Sequence, residues 1–363
     1  MLWFEKKQRI QVSDHPSSDR ISVILPVLNE AERIERALDS LIAQPEEVHE
    51  ILVVDGGSSD GTQPIVARYR AKDQRVRLID ASPVDKRWTG KAWGLNFGLQ
   101  RSNPACQWIL CVDADVWVSP KLARSFLAHA RKTGVSTFSV ATQQHLSGKI
   151  EALIHPSMLT TLVYRFGSPG KATRNRHKVQ ANGQCFLSRR ETLLKTAAFR
   201  AAQSSLCEDI TIVRRLSQCG ESVGFYEADG LVDVTMYDHW RETWRNWPRS
   251  LPMRDQYFGW REALGLFGVM LFQALPLPIF LLGIALRAPL WFIFLSGFFL
   301  ALRIGVLFGL ARAYPKKPWT YWLSPLFDLP VTLRIIQLAL RRRHNWRGRT
   351  YVRRKGGVFE PLA

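Results

Sequence analysis

Two aspartates spaced two apart, Asp113 and Asp115, interrupt the apolar run Ile109–Val118, ILCVDADVWV. The Ile, Leu and Val residues before them read as a strand buried on both faces. Residues i and i+2 leave a strand on the same side, so both carboxylates are expected to face one space at its end. Two carboxylates at close range repel unless something positive lies between them. A hard divalent cation holding a phosphate-bearing substrate fits that place. A strand that merely ends in a polar turn is the plainer alternative.

Other acids fall at similar points. Asp55 follows a second buried strand, Glu50–Val54, and opens DGGSSDG, whose glycines either let backbone approach a ligand or only make a tight turn. A first strand, Ile21–Leu25, is ended by Pro26 and leads into Val27-Leu28-Asn29-Glu30. Asn29 is expected to cap a helix Glu32–Gln44, in capping-box spacing with Glu32. Lys91 stands at the start of a helix, Lys91–Leu99, inside WTGKAWGLNFG. It either meets a diphosphate or is a solvated surface lysine. A Walker phosphate loop is rejected, because Asp85 stands where that motif needs glycine. Gly94 and Gly98, one helical turn apart, suit close packing. Ala181-Asn182-Gly183-Gln184 precedes a short strand, Cys185–Leu187. Cys207-Glu208-Asp209 precedes a helix, Ile210–Cys219, where an acid also serves as an ordinary cap.

The elements that must position these residues alternate. Helix Thr62–Arg70, strand Val76–Ile79, helix Lys121–Lys132 and strand Val135–Ala141 complete the pattern, which predicts an α/β layer with a mostly parallel sheet. Ligands bind beyond the carboxyl ends of such strands, where Pro26–Glu30, Asp55 and Asp113 all lie. The basic stretch Lys171–Lys178, KATRNRHK, is expected to be a mobile loop.

At 363 residues the chain has room for about two domains, using roughly 150 residues for each. Its formal charge of +19 points to an anionic partner. No nucleic-acid-binding module is recognisable and the basic residues flank apolar runs, so an anionic membrane surface is preferred to nucleic acid. Five cysteines without a CxxC pair argue against a disulfide framework or a zinc site. Residues 1–20 read as a polar lead-in without a signal peptide, placing the first domain in the cytoplasm.

From Asp238 the character changes. Trp240, Trp244 and Trp247 share one helical face and Arg241 and Arg245 lie off it, which suggests a helix at a membrane interface over residues 238–263. Leu264–Leu286 carries no charge and Pro289–Ala311 only Arg303. Both are long enough to cross a hydrocarbon core of roughly 30 Å, as a hairpin turning at Arg287-Ala288. Arg303 should then face protein or substrate. Trp319–Leu340, with Pro325, Asp328, Pro330 and Arg334, is read as re-entrant or interfacial, with a third span as the alternative. The basic flanks RAYPKKP (Arg312–Pro318) and Arg341–Lys355 belong on the cytoplasmic side by the positive-inside rule, so residues 341–363 form a basic cytoplasmic tail.

With these residues in view, positions 21–237 resemble the family 2 glycosyltransferases through ISVILPVLNE, VVDGGSSDGT, WTGKAWGLNFG, VDADV and CED, in that order. The resemblance implies a GT-A fold followed by a small helical membrane region, with Mg2+ or Mn2+ as cofactor. It implies that Pro26, Asn29, Glu30, Asp55, Lys91 and Asp113 bind a UDP- or GDP-linked sugar. Asp115 would be the metal ligand and Asp209 the catalytic base. Asn182, Gly183, Gln184 and Glu208 would lie toward the acceptor or diphosphate, with Arg241, Trp244, Arg245 and Trp247 beside them. Processive members carry Q/RxxRW where this chain reads WRETWRNW, so single-sugar transfer is expected. The tail HNWRGRTY (His344–Tyr351) is similar to members that glycosylate lipids, and WRNWPRSLPMRDQ looks nearest to the cyanobacterial carotenoid branch. Hopanoid, ceramide or diacylglycerol acceptors, or a polyprenyl phosphate, are the alternatives.

The chemistry is consistent with that resemblance. Displacing a nucleoside diphosphate needs a base for the acceptor hydroxyl but hardly an acid. A glycosidase needs two carboxylates flanking one bond and no metal. A non-catalytic scaffold would have lost motif acids, and all four are present.

Overall fold

Buried β-branched runs supply the strands, and helices returning across them supply the layers. The computed structural model describes residues 8–228, 230–346 and 349–361, and divides into two compact units. The first comprises residues up to 143, 169–234 and 345 onward; the second comprises 144–168 and 235–344.

The first unit is built on an eight-stranded sheet. Strands β1 (Ile21–Val27), β2 (Val48–Asp55), β3 (Val76–Asp80) and β4 (Trp108–Val112) lie in the order β3-β2-β1-β4 and run parallel. Cys185–Arg189 follows, antiparallel to both β4 and β6 (Thr137–Ala141), where β5 is the short strand Val116–Val118. Val223–Glu227 pairs with β6 in parallel, and Lys171–Thr173 closes the edge. The longer helices are α1 (Ile34–Ile42), α2 (Thr62–Lys72), α3 (Gly90–Arg101), α4 (Leu122–Thr133) and Glu208–Gln218, with two short ones at Arg190–Thr196 and Ala198–Ala201. The mostly parallel α/β layer is therefore as expected.

Several local expectations change. Strand β1 runs through Pro26 to Val27. The Val27 carbonyl turns toward β2 and accepts from Gly56 N at 3.0 Å, so Pro26 faces the other side, where pairing with β4 has stopped at Ile24. Its missing N–H breaks no ladder bond. Helix α1 begins at Ile34, and Asn29 does not cap it. Strand β4 ends at Val112, and Asp113–Asp115 form a turn closed by Val116 N to Asp113 O at 3.2 Å. The chain there leaves the large sheet, since β5 pairs antiparallel with Val232–Val234. The two carboxylates thus sit on a turn rather than along a strand. Lys171–Thr173 is an edge strand, so the basic stretch is partly ordered. Residues 349–361 of the tail also fold, as strands Arg349–Arg353 and Phe359–Pro361 in an antiparallel pair with Tyr351 and Phe359 buried. Arg347 and Gly348 of the tail motif, and Met1–Lys7 of the lead-in, lie outside the described residues.

The second unit is helical. Its centre includes α5 (Glu151–Phe166), which no local pattern announced because Pro156 stands inside it. Ile154 and Met158 of α5 pack with Leu251, Leu266, Val331 and Ile335, and Trp240, Trp244 and Trp247 lie against this cluster. The three tryptophans therefore form a stripe on the unit's own core, Trp240 and Trp244 on a helix of only seven residues, Trp240–Asn246, and Trp247 at the start of the 3-10 turn Trp247–Arg249 that follows, with Arg241 and Arg245 exposed. The long interface helix expected over 238–263 is absent among the described residues.

The segment 264–286 is bent rather than straight. Helix Trp260–Val269 passes through a wider π turn, Met270–Ala274, into helix Pro276–Ala285, with a 41° break. Leu275 N reaches back five residues to Met270 O, and Pro276 and Pro278 lack the N–H groups that would continue the first helix. Leu290–Ala313 and Trp319–Leu340, of 24 and 22 residues, are each long and apolar enough to cross a membrane. The third segment therefore has a full span's length, while the first qualifies only as a bent pair. The hairpin through Arg287 is present: a Cβ on Gly283 would stand 3.3 Å from the Phe292 ring, and one on Gly297 3.2 Å from Phe280. Arg303 faces protein, as its cost in a span requires. It is 1% exposed, with Nε 2.7 Å and Nη2 3.0 Å from the two Asp328 oxygens. Among the described residues, every exposed large hydrophobic side chain except Val12, Ile150 and Leu194 lies between Trp260 and Leu340.

Candidate functional site

In the first unit the carboxyl ends of β1, β2 and β4 come to one edge of the sheet, with the starts of α3 and of Cys185–Arg189 beside them. Two of the strand-end loops are laced together. Asn29, in the left-handed region at φ 55°, donates its N–H to Ser58 Oγ at 2.9 Å, and its side-chain oxygen accepts from Ser59 N at 2.9 Å. Glu30 N donates to Thr62 Oγ1 at 3.0 Å, and Ala31 N to Asp60 at 2.9 Å. Asn29 therefore serves the loop rather than α1.

Asp55 is fully buried at the end of β2. Its carboxylate accepts from Ser58 N at 3.0 Å, Ser58 Oγ at 2.5 Å and Gln63 Nε2 at 2.5 Å. It shapes the DGGSSDG loop from within.

Helix α3 lies hard against β1. A Cβ on Gly94 would come within 2.9 Å of Pro26 Cβ, and one on Gly98 within 2.7 Å of Ile24. Those two glycines allow the approach that brings the first turn of α3, with Lys91, to the sheet edge. Lys91 is neither a solvated lysine nor a free anion contact. Its ammonium lies 2.8 Å from Asp113, 2.9 Å from Glu208 and 3.4 Å from the Gly183 carbonyl. Burial opposes its charge, but Asp113 and then Glu208 outweigh that and hold it protonated, well above the ordinary lysine range.

Gly183 is wedged at the centre. Its N–H donates to Asp209 Oδ2 at 3.1 Å, and an added Cβ would stand 3.1 Å from both Asp209 Cβ and Lys91 Nζ. Asn182 and Gln184 hold this turn by bonding each other and Thr142, while Asp113 N donates to Gln184 O at 3.1 Å. Asp209 sits in the first turn of Glu208–Gln218, and its Oδ1 accepts from Ile210 N at 2.7 Å. Burial first, and the neighbouring charge of Glu208 second, push its carboxyl up to about 6, against the pull of Lys91.

Asp115 is the unsatisfied member. Its Oδ1 is buried without a hydrogen-bond partner. Burial, then the charge of Asp113 and more weakly Glu30, raise its carboxyl to about 7, with Lys91 and Arg33 opposing. A bare buried carboxylate oxygen amid surplus negative charge is suited to a hard cation. No cluster of three or more His, Cys, Asp or Glu among the described residues could hold a metal alone. An ion such as Mg2+ takes one or two carboxylates and completes its shell with phosphate oxygens and water, and Asp115 could be one of them.

Twelve of the expected residues are thus in this unit, along one edge of its sheet. Arg241, Trp244, Arg245 and Trp247 belong to the second unit. Sequence reasoning missed the Lys91 bridge, the roles of Ser58 and Gln63 on Asp55, and the wedge at Gly183; only the glycine spacing of α3 hinted at the first.

Residues 22–195 match the family model described as glycosyl transferase family 2. Glycosyltransferase AglE of Haloferax volcanii is 29% identical over 136 residues, covering 36% of this chain and 39% of its own length. The 4,4'-diaponeurosporenoate glycosyltransferase of Staphylococcus haemolyticus is 25% identical over 242 residues, covering 66% and 61%. The chain thus spans about two fifths and three fifths of these two relatives. Among solved structures, mannosyltransferase PcManGT from Pyrobaculum calidifontis, in complex with GDP-Man and Mn2+, superposes with a TM-score of 0.55 at 19% identity, over 92% of this chain and 90% of that one. That likeness establishes the GT-A fold. The segment that matches glycosyl transferase family 2 carries Asp55, Lys91, Asp113, Asp115 and Gly183, while Glu208 and Asp209 lie beyond it.

Proposed function

We propose that this protein transfers one sugar from a UDP- or GDP-linked donor to the hydroxyl of a membrane lipid, with inversion at the anomeric carbon. The observation that carries the reading is the division of the acids around Lys91: a bare Asp115 oxygen on one side, and Asp209 held by Gly183 on the other. The match of residues 22–195 to glycosyl transferase family 2 supports the donor class.

The loops zipped by Asn29, Ser58 and Asp60 cradle the nucleoside, and Asp55 keeps them in shape. Asp115, backed by Asp113, would hold a divalent cation, which when bound neutralises charge on the diphosphate. Lys91 already lies between two carboxylates and adds a second positive charge near the leaving group. Asp209 takes the proton of the acceptor hydroxyl as its oxygen attacks the anomeric carbon. The bond from that carbon to the donor phosphate breaks, and the nucleoside diphosphate leaves with the electron pair. A carboxyl near 6 is ionised at neutral pH yet more basic than a free aspartate, which suits a general base.

The apolar surface between Trp260 and Leu340 supports a lipid acceptor. A carotenoid or xanthophyll is the favoured one, because the diaponeurosporenoate glycosyltransferase match extends well past the family-model segment. WRETWRNW favours a single transfer. Residues 169–234 and from 345 onward belong to one compact unit, which supports an even number of membrane crossings in the chain between them. The crossings by the bent segment and by Leu290–Ala313 put the basic stretch Arg312–Pro318 on the side of that unit. This side is the cytoplasm by the positive-inside rule, with Trp319–Leu340 re-entrant or interfacial.

The test incubates the protein in lipid with labelled UDP- and GDP-sugars and a panel of carotenoid, hopanoid, ceramide, diacylglycerol and polyprenyl-phosphate acceptors. Label on the hydroxylated carotenoid is expected. Label on another lipid alone replaces the acceptor, and no transfer to any lipid overturns the reading.

A further inference from the structure

The loop Gln203–Cys207, which leads directly into Glu208 and Asp209, is tied down from three directions. Internally, Ser205 Oγ lies 2.8 Å from Thr211 Oγ1 and accepts from Cys207 N at 3.1 Å. From the start of α3, Thr89 N donates to Gln203 O at 2.7 Å, two residues before Lys91 reaches Glu208. The third tie comes from far along the chain. Phe359 N donates to Ser204 O at 2.9 Å.

Phe359 is 4% exposed and Tyr351, on the paired strand, 1%. In this hairpin Phe359 stands opposite Arg353, and the closing bond runs from Arg354 N to Val358 O. The N–H of Phe359 therefore points out of its own hairpin, toward the loop, and the hairpin loses nothing by giving it away. A strand placed after all the apolar helices thus returns to the first unit, to the backbone five residues before Asp209.

We infer that the strand Phe359–Pro361 clamps the Gln203–Cys207 loop, making Phe359 a positioning residue for Glu208 and Asp209. The inference rests on the role proposed for Asp209. Without the tie, the loop keeps its hold on α3 through Thr89 but loses its outer restraint. The first turn of Glu208–Gln218 then wanders relative to Lys91 and Gly183.

The test compares Phe359→Pro with Phe359→Ala in the full chain in lipid nanodiscs. Both remove the ring, and only proline removes the N–H. Hydrogen exchange is expected to be faster at Ser205–Asp209 in the proline variant than in the alanine variant. Its kcat should be lower by about tenfold, the scale of one lost hydrogen bond, with the KM for donor unchanged. Equal exchange and equal kcat in the two variants overturn the clamp. Should the proline variant not fold, a chain ending at Val358 must show the same faster exchange, and wild-type exchange there overturns the clamp as well. If exchange separates the variants while the wild-type chain transfers no sugar, the clamp stands and the proposed function falls.

Discussion

Each unit of this molecule holds a cation paired with carboxylate, and the two arrangements differ in balance. In the second unit Arg303 meets one acid, Asp328, through two bonds, with side chains 1% and 2% exposed. Ser157 at 2.6 Å and Gln273 at 2.9 Å satisfy the same carboxylate further. In the first unit one lysine stands among four acids, Asp113, Asp115, Glu208 and Asp209. It is 22% exposed, and one carboxylate oxygen beside it has no partner. A one-to-one pair, in which the carboxylate is fully bonded and only Arg303 Nη1 lacks a partner, holds helices together. A cluster with surplus negative charge and an open oxygen has the chemistry to accept a cation.

The largest effect expected is at the proposed base. Asp209→Asn should lower kcat by about 10²–10⁴, the usual range for losing a positioned base, while donor affinity stays at the wild-type value. Normal turnover in that variant would remove Asp209 from the mechanism. Next comes the matched pair. Arg303→Ala should destabilise the protein by about 3–5 kcal/mol in denaturant unfolding, because it strands Asp328 in an apolar interior. The double change Arg303→Met with Asp328→Leu should recover most of that loss. If the single change costs nothing, the contrast between the two sites collapses.

Asp115→Asn should act oppositely on stability and binding. Metal-dependent donor binding by calorimetry should be lost, and the metal-free protein should melt at a higher temperature, since burial and repulsion from Asp113 disappear. Donor binding that stays metal-dependent would free Asp115 of its assignment.

The smallest effect is on pH dependence. Asp209 works ionised, so kcat should fall about tenfold per unit as pH drops below its value near 6. Stability moves the other way. Its folded value lies above the ordinary 3.8, so between those values the folded chain keeps a proton that the unfolded chain has released. This group's destabilising contribution is absent below about 4 and complete above about 6, and Asp209→Asn should remove it. An acid limb that stays in place in Phe359→Pro and moves to lower pH in Glu208→Gln would isolate the Glu208 contribution from that of burial.

Much of the site was legible because strand ends are local events. An apolar β-branched run stopping at an aspartate marks β2 and β4 from a handful of residues, and the alternation with helices sets the parallel sheet. The DxD turn was misread for the same local reason: Val116–Val118 continues the apolar pattern but pairs with Val232–Val234 in another sheet. Helix α5 was missed because Pro156 breaks the local pattern, although packing onto Val331 and Ile335 sustains the helix. The Trp240, Trp244 and Trp247 stripe has one periodicity whether it faces lipid or protein, and only the core it packs on decides.

By itself, the amino-acid sequence determined the sheet's class, the acids at its carboxyl edge, the resemblance to family 2 glycosyltransferases and the apolar lengths near its end. Each follows from spacing along a few neighbouring residues. The tertiary structure alone decided that Lys91 joins Asp113 to Glu208 across 22 and 117 positions, that Asp115 keeps a bare oxygen, that the first apolar segment bends, and that Phe359 reaches Ser204. Charge balance and backbone ties between distant residues depend on where the whole chain places them, and no local pattern encodes that distance.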